Sequence, residues 1–199
     1  WMRCLSDTYM TNKQRVSYAG LFDDVAASAW YAPSVDYVKY GRLMYGTGNN
    51  LFQPDAQMTR AMFVQVLYAL EGSPSVSGLS CPLTDAGGSW YTDAVIWAYN
   101  AGVAAGVSAT EFAPNEPLTR EQMVKMLYGY ASRSEQLTGD AGALSPYRDQ
   151  VNVSAWAREA MVWAVSTGIV CGTSPTTLSP QKIGTRAEVA TVVMGFCEQ

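Results

Sequence analysis

The sequence predicts an all-α protein built from three copies of one helix–loop–helix unit. The first observation is a repeat, because three tryptophans each stand 29 residues before a Thr-Arg pair, with offsets of 60 and 66 residues between copies. The second is that an apolar pattern of helical period follows every Thr-Arg pair. A two-helix unit of this size buries its apolar face poorly alone, so the three units are expected to share a core. The landmarks are Trp30, Trp90 and Trp156, followed by Thr59-Arg60, Thr119-Arg120 and Thr185-Arg186.

The first helix of each unit follows the tryptophan. Gly102 and Gly168 suit the left-handed residue that commonly ends a helix. In the first unit Arg42 holds that position and Gly41 precedes it, so this helix is expected to end differently. One aromatic residue in each first helix shares the register of core positions and is expected to pack inside. These residues are Tyr37, Trp97 and Trp163.

A loop joins the two helices of each unit. It opens on a glycine, Gly46, Gly106 or Gly172, and closes on a Phe-x-Pro or Leu-x-Pro sequence just before the second helix. Such a glycine fits two interpretations, close approach of a ligand to the backbone or a left-handed turn. The closing residues are Phe52, Phe112 and Leu178, then Pro54, Pro114 and Pro180.

The second helix of each unit carries the clearer signal. Its apolar residues recur at i, i+3, i+4 and i+7, which is one face of an amphipathic helix. The threonine of each Thr-Arg pair is a good N-cap, and Gln122 and Glu188 can complete a capping box in the second and third units. Met62 cannot do so in the first. The apolar positions are Phe63, Val66, Leu67 and Leu70, Met123, Met126, Leu127 and Tyr130, and Val189, Val192, Val193 and Phe196.

The extra six residues of the second offset fall in a connection rich in Ser, Gly and Ala, and the first connection is rich in Ser, Gly and Pro. Both are predicted to be surface linkers, in which changes of length cost little. The three units are expected to form one structural domain. The predicted spans are 21–72, 83–132 and 147–199 for the units, 72–82 and 132–146 for the linkers, and 1–20 for a leader of unknown conformation.

Composition excludes several classes of function. The chain of 199 residues has no histidine, which removes Ser-His-Asp and Cys-His catalysis and imidazole metal sites. Its four cysteines form no CxxC pair, so buried free thiols are expected, with a Cys171–Cys197 disulfide as the alternative. A net charge of −4 argues against a nucleic-acid binder. No apolar run is long enough to span a membrane, and the start at Trp1 without a signal peptide indicates a mature piece or an excised fragment.

Each unit carries two short motifs, an acidic one before the tryptophan and the Thr-Arg start of the second helix. The acidic motifs read FDDV (22–25), LTDA (83–86) and YRDQ (147–150), and the helix starts read TRAM (59–62), TREQ (119–122) and TRAE (185–188). Together these motifs resemble the S-layer homology repeat. The resemblance covers about residues 21–199 and is specific because it occurs three times.

This resemblance implies three repeats in a pseudo-threefold arrangement around a shared central helix bundle. It also implies grooves between adjacent repeats that bind a secondary cell-wall polymer, often through a pyruvylated amino sugar. Four positions depart from the family pattern, so not every groove need be functional. They are Met62 and Gln122 in place of the acidic residue, Ala157 in place of an aromatic residue, and Leu178 in place of phenylalanine.

The candidate ligand-binding residues recur once per repeat. An arginine at the first position of a helix can offer a carboxylate two parallel donors where the helix dipole already favours an anion. The alternative is that these arginines pair with the aspartates and join neighbouring units. The tryptophans can stack on a sugar or fill the packing between units, and the aspartates can accept from sugar hydroxyls or brace a loop. The set is Arg60, Arg120, Arg186, Trp30, Trp90, Trp156, Asp24, Asp85, Asp149, Gly46, Gly106 and Gly172.

The resulting prediction is a non-catalytic cell-wall anchor without cofactor or metal. Its partner is an acidic, pyruvylated secondary cell-wall polysaccharide, and its location is extracellular, in the cell wall or S-layer of a bacterium. The first alternative is a module that self-associates in a surface layer. The second is a glycan hydrolase using two carboxylates, although here the acidic residues recur with the repeats instead of forming one pair.

Overall fold

The computed structural model describes residues 21–199, and this part of the chain contains six α-helices and no β-strand. The predicted all-α class is therefore confirmed for these residues, while the predicted leader, 1–20, lies outside them. Each repeat contributes two helices joined by a loop, and we call 45–53, 105–113 and 171–179 the glycine loops. The helices are α1 (Ala32–Tyr40), α2 (Arg60–Leu70), α3 (Thr92–Asn100), α4 (Arg120–Ala131), α5 (Arg158–Ser166) and α6 (Arg186–Cys197).

The chain forms two compact units whose boundaries cut across the repeats. Among the described residues, one unit combines 21–57 with 185–199, and in it α1 packs against α6. The other is residues 58–184, where α3 packs on α2, α5 packs on α4, and α2 contacts α4. The main packing partner of each helix is thus a helix of a different repeat. Tyr37, Trp97 and Trp163 are buried as predicted.

The second helices begin as their sequences predict. The hydroxyl of the N-cap threonine accepts from the third amide of α2, α4 and α6. Complete capping boxes form at Gln122 in α4 and at Glu188 in α6. In α2 Met62 occupies the third position, and only the threonine half of the box is present.

The first helices all end in the same way, which differs from the expectation for the first repeat. Gly102 and Gly168 have φ angles of 69° and 75°. Arg42, at the equivalent position, takes the same left-handed conformation with a φ of 58°, whereas Gly41 keeps a φ of −68°. The prediction that this helix ends differently is wrong, because the geometry of the turn is kept and an exposed arginine takes the strained conformation.

A closed ring of backbone hydrogen bonds joins the residues that precede the three N-cap threonines. The amide of Leu118 donates to the carbonyl oxygen of Met58 at 2.8 Å, and the amide of Gly184 donates to that of Leu118 at 2.9 Å. The amide of Met58 closes the ring by donating to the carbonyl oxygen of Gly184 at 3.0 Å. All three residues lie in the 58–184 unit, and they are related by the repeat offsets.

The connections and cysteines differ in part from the expectations. Leu144 is buried, so the second connection packs into the protein instead of lying wholly on the surface. The alternative of a Cys171–Cys197 disulfide is wrong, because no disulfide joins these two residues. The expected burial is found for Cys197 and is wrong for Cys171, which is exposed. In the part of the chain from residue 21 onward, no helix is long and apolar enough to cross a membrane.

Candidate functional site

The arginine that begins α2, α4 or α6 binds two carbonyl oxygens in the glycine loop of another repeat. Arg60 donates from Nε to the carbonyl oxygen of Phe112 at 2.8 Å and from Nη2 to that of Ala105 at 2.9 Å. Each arginine therefore holds both ends of one loop. The equivalent contacts are Arg120 to Leu178 (3.3 Å) and Cys171 (2.6 Å), and Arg186 to Phe52 (2.7 Å) and Tyr45 (2.6 Å).

These arginines are almost completely buried, with 5–7% of their surface exposed. The guanidinium of Arg60 lies 4.7 Å from the ring centroid of Phe112. Burial lowers the pKa of the Arg60 side chain, and the charge of Asp85 acts in the opposite direction. The alternative in which the arginines pair directly with the aspartates does not describe Arg60 or Arg186, which donate to carbonyl oxygens instead. Their role in ligand binding stays a prediction.

The first amides of α2, α4 and α6 are already occupied. In α2 the amides of Arg60 and Ala61 donate to the carbonyl oxygens of Glu116 and Pro114, at 3.1 and 3.0 Å. The corresponding amides of α4 and α6 bind loop carbonyls in the same way. These amides therefore donate to carbonyl oxygens of the protein, and a contribution of the helix dipole to binding an anion stays a prediction.

The aspartates brace the ends of the glycine loops. Asp85 accepts from the amides of Phe112 and Ala113, at 2.7 and 2.8 Å. Burial raises the pKa of Asp85, but the hydrogen bonds from these amides outweigh it, and the pKa lies below its usual value. The pKa of Asp149 is also lowered, first by the amide of Leu178. The bracing contacts of the other copies are Asp24 to Phe52 and Gln53, and Asp149 to Leu178 and Ser179.

Each brace holds a non-glycine residue in the left-handed conformation. Gln53, Ala113 and Ser179 have φ angles of 56°, 57° and 55°. The carboxylate binds the amide of this residue and of the one before it, which fixes the turn into the helix. The structure thus shows the bracing role of the aspartates, and binding of sugar hydroxyls by them stays a prediction.

The glycines that open the loops are required by packing. Gly46, Gly106 and Gly172 do not have positive φ angles, so the left-handed turn interpretation is wrong for them. A Cβ at Gly106 would overlap the carbonyl oxygens of Ser108 and Glu111 and the side chain of Leu83. The other two glycines meet equivalent obstacles. Their contact with a ligand stays a prediction.

The tryptophans lie on the surface. Trp30, Trp90 and Trp156 are 66%, 61% and 52% exposed, so the interpretation that they fill the packing between repeats is wrong. Trp30 and Trp90 each pack edge-on against the tyrosine that follows, with ring centroids 5.3 and 5.2 Å apart. Large faces of the indole rings are therefore available for stacking, which remains a prediction.

One cleft in the 58–184 unit brings several candidates together. It has a volume of about 660 Å³ and is lined by Arg60, Trp156, the loop from Gly102 to Val107, and one face of α4 that includes Lys125. Gly106 belongs to this loop. Asp85 does not line the cleft, and no Asp or Glu side chain does. The cleft is therefore locally cationic in a chain with a net charge of −4.

The predicted set omits two residues of α4, namely Lys125, which lines this cleft, and Glu121, which binds the backbone near Trp156. Lys125 adds a second positive charge. Glu121 is 2% exposed and binds Ser154, two residues before Trp156. A comparison of charges in the common register could have found both, because repeats 1 and 3 have no charged residue at either position. In residues 21–199 no group of three or more Cys, Asp or Glu side chains could hold a metal ion.

Comparison with known proteins supports one family. The model of the S-layer homology domain matches residues 21–62, 82–124 and 146–190. The surface-layer 125 kDa protein of Lysinibacillus sphaericus is 30% identical over 184 residues, 88% of this chain and 15% of that protein. An endoglucanase of Bacillus sp. (strain KSM-635) is 30% identical over 186 residues, 92% of this chain and 19% of that protein. The S-layer protein of Bacillus thuringiensis subsp. finitimus is 26% identical over 169 residues, 85% of this chain and 20% of that protein.

The chain therefore spans a fifth or less of the length of these relatives. The three family matches together cover more than half of the chain, and each includes one acidic motif, one tryptophan and one Thr-Arg helix start. This chain belongs to the S-layer homology domain family.

Proposed function

We propose that this chain fastens a larger protein to the bacterial cell surface by binding an acidic secondary cell-wall polysaccharide. Domains of this family are cell-wall anchoring modules, and the relatives include surface-layer proteins and an endoglucanase that are much longer than this chain. A shared anchor joined to otherwise different proteins explains that pattern. The module itself is proposed to be non-catalytic and extracellular.

The cationic cleft carries the proposal. Arg60 and Lys125 line it without a carboxylate, and the exposed ring of Trp156 stands at the same cleft. A positive site beside an aromatic face suits a sugar that carries a negative charge, because the ring can stack on the sugar while the cations hold the anion. The net charge of −4 makes general attraction of the whole domain to a polyanion unfavourable.

We further propose that the acidic group is a ketal-linked pyruvate. Such a ketal presents a single carboxylate on a small rigid ring, so little conformational freedom is lost when it binds. A cleft of about 660 Å³ can accommodate a sugar with this substituent.

The proposed arrangement of the repeats is pseudo-threefold around a shared bundle. The arginine clamps support it because they close a cycle. Arg60 of repeat 1 binds the loop of repeat 2, Arg120 of repeat 2 binds that of repeat 3, and Arg186 of repeat 3 binds that of repeat 1. The ring of Met58, Leu118 and Gly184 has the same cyclic order.

Sedimentation with purified cell-wall sacculi tests the proposed function. The protein is expected to sediment with intact sacculi and to stay in solution after the secondary polymer has been extracted. Equal sedimentation with both preparations would show that the polymer is not the ligand.

Removal of pyruvate by mild acid tests the nature of the acidic group. Native polymer is expected to bind more tightly than the depyruvylated polymer, and binding should persist at moderate salt because contacts inside a cleft are screened less than exposed charges. Equal affinity for the two polymers would contradict the carboxylate mechanism and leave stacking on tryptophan as the better account.

Self-association is the second candidate function. The relatives include two proteins named for the surface layer, and Val151 and Trp30 are large apolar side chains with exposures of 81% and 66%. Concentration-dependent assembly without polymer, measured by analytical ultracentrifugation, would favour this function over the anchor.

A further inference from the structure

Repeat 2 alone has a charged residue, Lys125, at its position in the common register. This residue lies on the face of α4 that lines the cleft. The register of the Thr-Arg pairs places Gln65 and Thr191 at the same position in repeats 1 and 3. Of the three second helices, α4 is therefore the one that brings an amino group to this position.

The surroundings of Lys125 leave its ammonium group available to an anion. Its Nζ lies 5.4 Å from the ring centroid of Tyr128, and the side chain is half-buried. Within residues 21–199 it has no ion-pair partner. Arg60, in contrast, uses Nε and Nη2 to hold the glycine loop. The cleft thus combines one cation that holds a glycine loop with one that has no carboxylate partner among residues 21–199.

A second feature unique to repeat 2 fixes the aromatic side of the cleft. The carboxylate of Glu121 accepts from the amide of Ser154 at 2.9 Å, from its hydroxyl at 2.6 Å and from Nε2 of Gln181 at 2.7 Å. These contacts hold the backbone two residues before Trp156, which lines the cleft. Repeats 1 and 3 have Ala61 and Ala187 at the position of Glu121 and cannot form this contact.

For the cleft of the proposed function, we propose that Lys125 is the residue that binds the carboxylate of the acidic sugar, while the apolar face of the sugar lies on Trp156. Glu121 is a positioning residue that holds Trp156 in place. The equivalent positions near Arg120 and Arg186 have no counterpart of Lys125 or of Glu121. These two positions therefore do not contribute to recognition of the acidic group. This assignment rests on the proposed function and makes the three repeats unequal in binding.

The test compares matched variants of the full chain by the affinity of binding to intact sacculi. Lys125→Gln, which gives repeat 2 the residue of repeat 1, is expected to weaken binding on the order of tenfold to a hundredfold, the range for loss of a charge-assisted hydrogen bond. Gln65→Ala and Thr191→Ala are expected to bind like the wild type. Lys125→Arg keeps the charge and should recover part of the affinity, and the melting temperature of each variant checks that it is folded.

Glu121→Ala tests the positioning role. It is expected to weaken binding severalfold and to change the emission of Trp156, measured as the difference between this variant with and without Trp156→Phe. Glu121→Gln keeps an acceptor for Ser154 and should restore part of both properties. Unchanged Trp156 emission together with wild-type affinity in Glu121→Ala would show that Glu121 does not position the ring.

The outcomes separate this assignment from the proposed function. Failure of the wild-type protein to bind sacculi would overturn both. Normal binding by the wild type with equal binding by Lys125→Gln, or an equal loss in Gln65→Ala or Thr191→Ala, would leave the anchoring function intact and overturn the assignment to this cleft.

Discussion

The aspartate brace is the contact at the scale of single residues that most directly shapes the loops. Asp85 accepts from the amides of Phe112 and Ala113, and Ala113 has a φ of 57°. A left-handed alanine is strained by about 1 kcal/mol or more. Two charge-assisted hydrogen bonds offset that strain, so the loop keeps its shape without a glycine at this position.

The braces predict a loss of stability in acid. The pKa of Asp85 and of Asp149 lies below its usual value in the folded protein, while the unfolded chain has a pKa of about 3.9. The stabilisation is therefore fully present above the unfolded pKa and is lost as the pH falls through the folded pKa. Urea unfolding of the wild type should show the free energy of unfolding decreasing below about pH 4.

Asp85→Asn should remove part of this pH dependence. At pH 7 it is expected to lower the free energy of unfolding by about 1 to 2 kcal/mol, because the amide group can accept only one of the two hydrogen bonds. Asp55→Asn, at an exposed aspartate, is the matched control and should leave the free energy of unfolding at pH 7 unchanged. A wild-type pH profile in Asp85→Asn would contradict the bracing role.

Arg42 provides a second test at the residue scale. It is exposed and has a φ of 58°, where the equivalent residues are Gly102 and Gly168. Arg42→Gly is expected to raise the free energy of unfolding by about 0.5 to 1 kcal/mol, because removal of the Cβ relieves the left-handed strain. Gly102→Ala is the reciprocal change and should lower it by about 1 kcal/mol. Urea unfolding measures both, and a destabilised Arg42→Gly would show that this arginine makes a compensating contact.

At the scale of the helix, the N-terminal caps separate one repeat from the other two. In α4 the side chain of Gln122 accepts from the amide of Thr119 at 3.1 Å, and Glu188 makes the same contact in α6. Met62 leaves α2 without this contact. Since the helices are otherwise alike in register, the difference isolates the contribution of one capping hydrogen bond.

Exchange of these residues should move stability in opposite directions. Met62→Gln is expected to raise the free energy of unfolding by about 0.5 to 1 kcal/mol by completing the box, and Gln122→Met to lower it by a similar amount. Met62 is half-buried, so removal of its thioether costs little packing. Chemical denaturation measures both variants, and a loss of stability in Met62→Gln would mean that packing of the methionine outweighs the cap.

The helices and their caps could be predicted from sequence because both depend on residues close together in the chain. Thr119 and Gln122, for example, are three residues apart. The arginine clamp could not be predicted in the same way, because Arg186 binds a backbone oxygen of Tyr45, 141 residues away, and a carbonyl group leaves no mark in the sequence. The motif indicated that the arginine matters, but the chemistry of its partner came from the fold.

The candidate site could likewise be predicted only in part from the sequence. The repeat pattern identified Trp156 and Arg60, because equivalent residues occur in all three repeats. A search for residues shared by the repeats does not find residues that occur in one repeat only. Lys125 and Glu121 distinguish repeat 2 from the others. A comparison of charges between the repeats can find both, but only the fold shows that Lys125 lines the cleft and that Glu121 binds the backbone near Trp156.

At the scale of the whole molecule, the repeats of the sequence differ from the units of packing. Repeat 2 contributes α3, whose main partner is α2 of repeat 1, and α4, whose main partner is α5 of repeat 3. In repeats 1 and 3 the helices α1 and α6 pack on each other in a separate unit. Each repeat thus depends on its neighbours for a core, although each has the length of a small helical hairpin.

Because each helix packs mainly on a helix of another repeat, the repeats are expected to unfold together. The full chain is expected to melt in one cooperative transition, because repeats 1 and 3 each contribute helices to both units. The isolated repeat 83–132 should show little helix by far-UV circular dichroism and no calorimetric transition, because helices of 9 and 12 residues are marginal in water without a packing partner. The fragment 58–184, which retains the partners of both helices, is the matched control and should be helical and melt cooperatively. Three separate transitions in the full chain, or cooperative melting of 83–132, would show that each repeat folds on its own and that the packing between repeats is secondary to its stability.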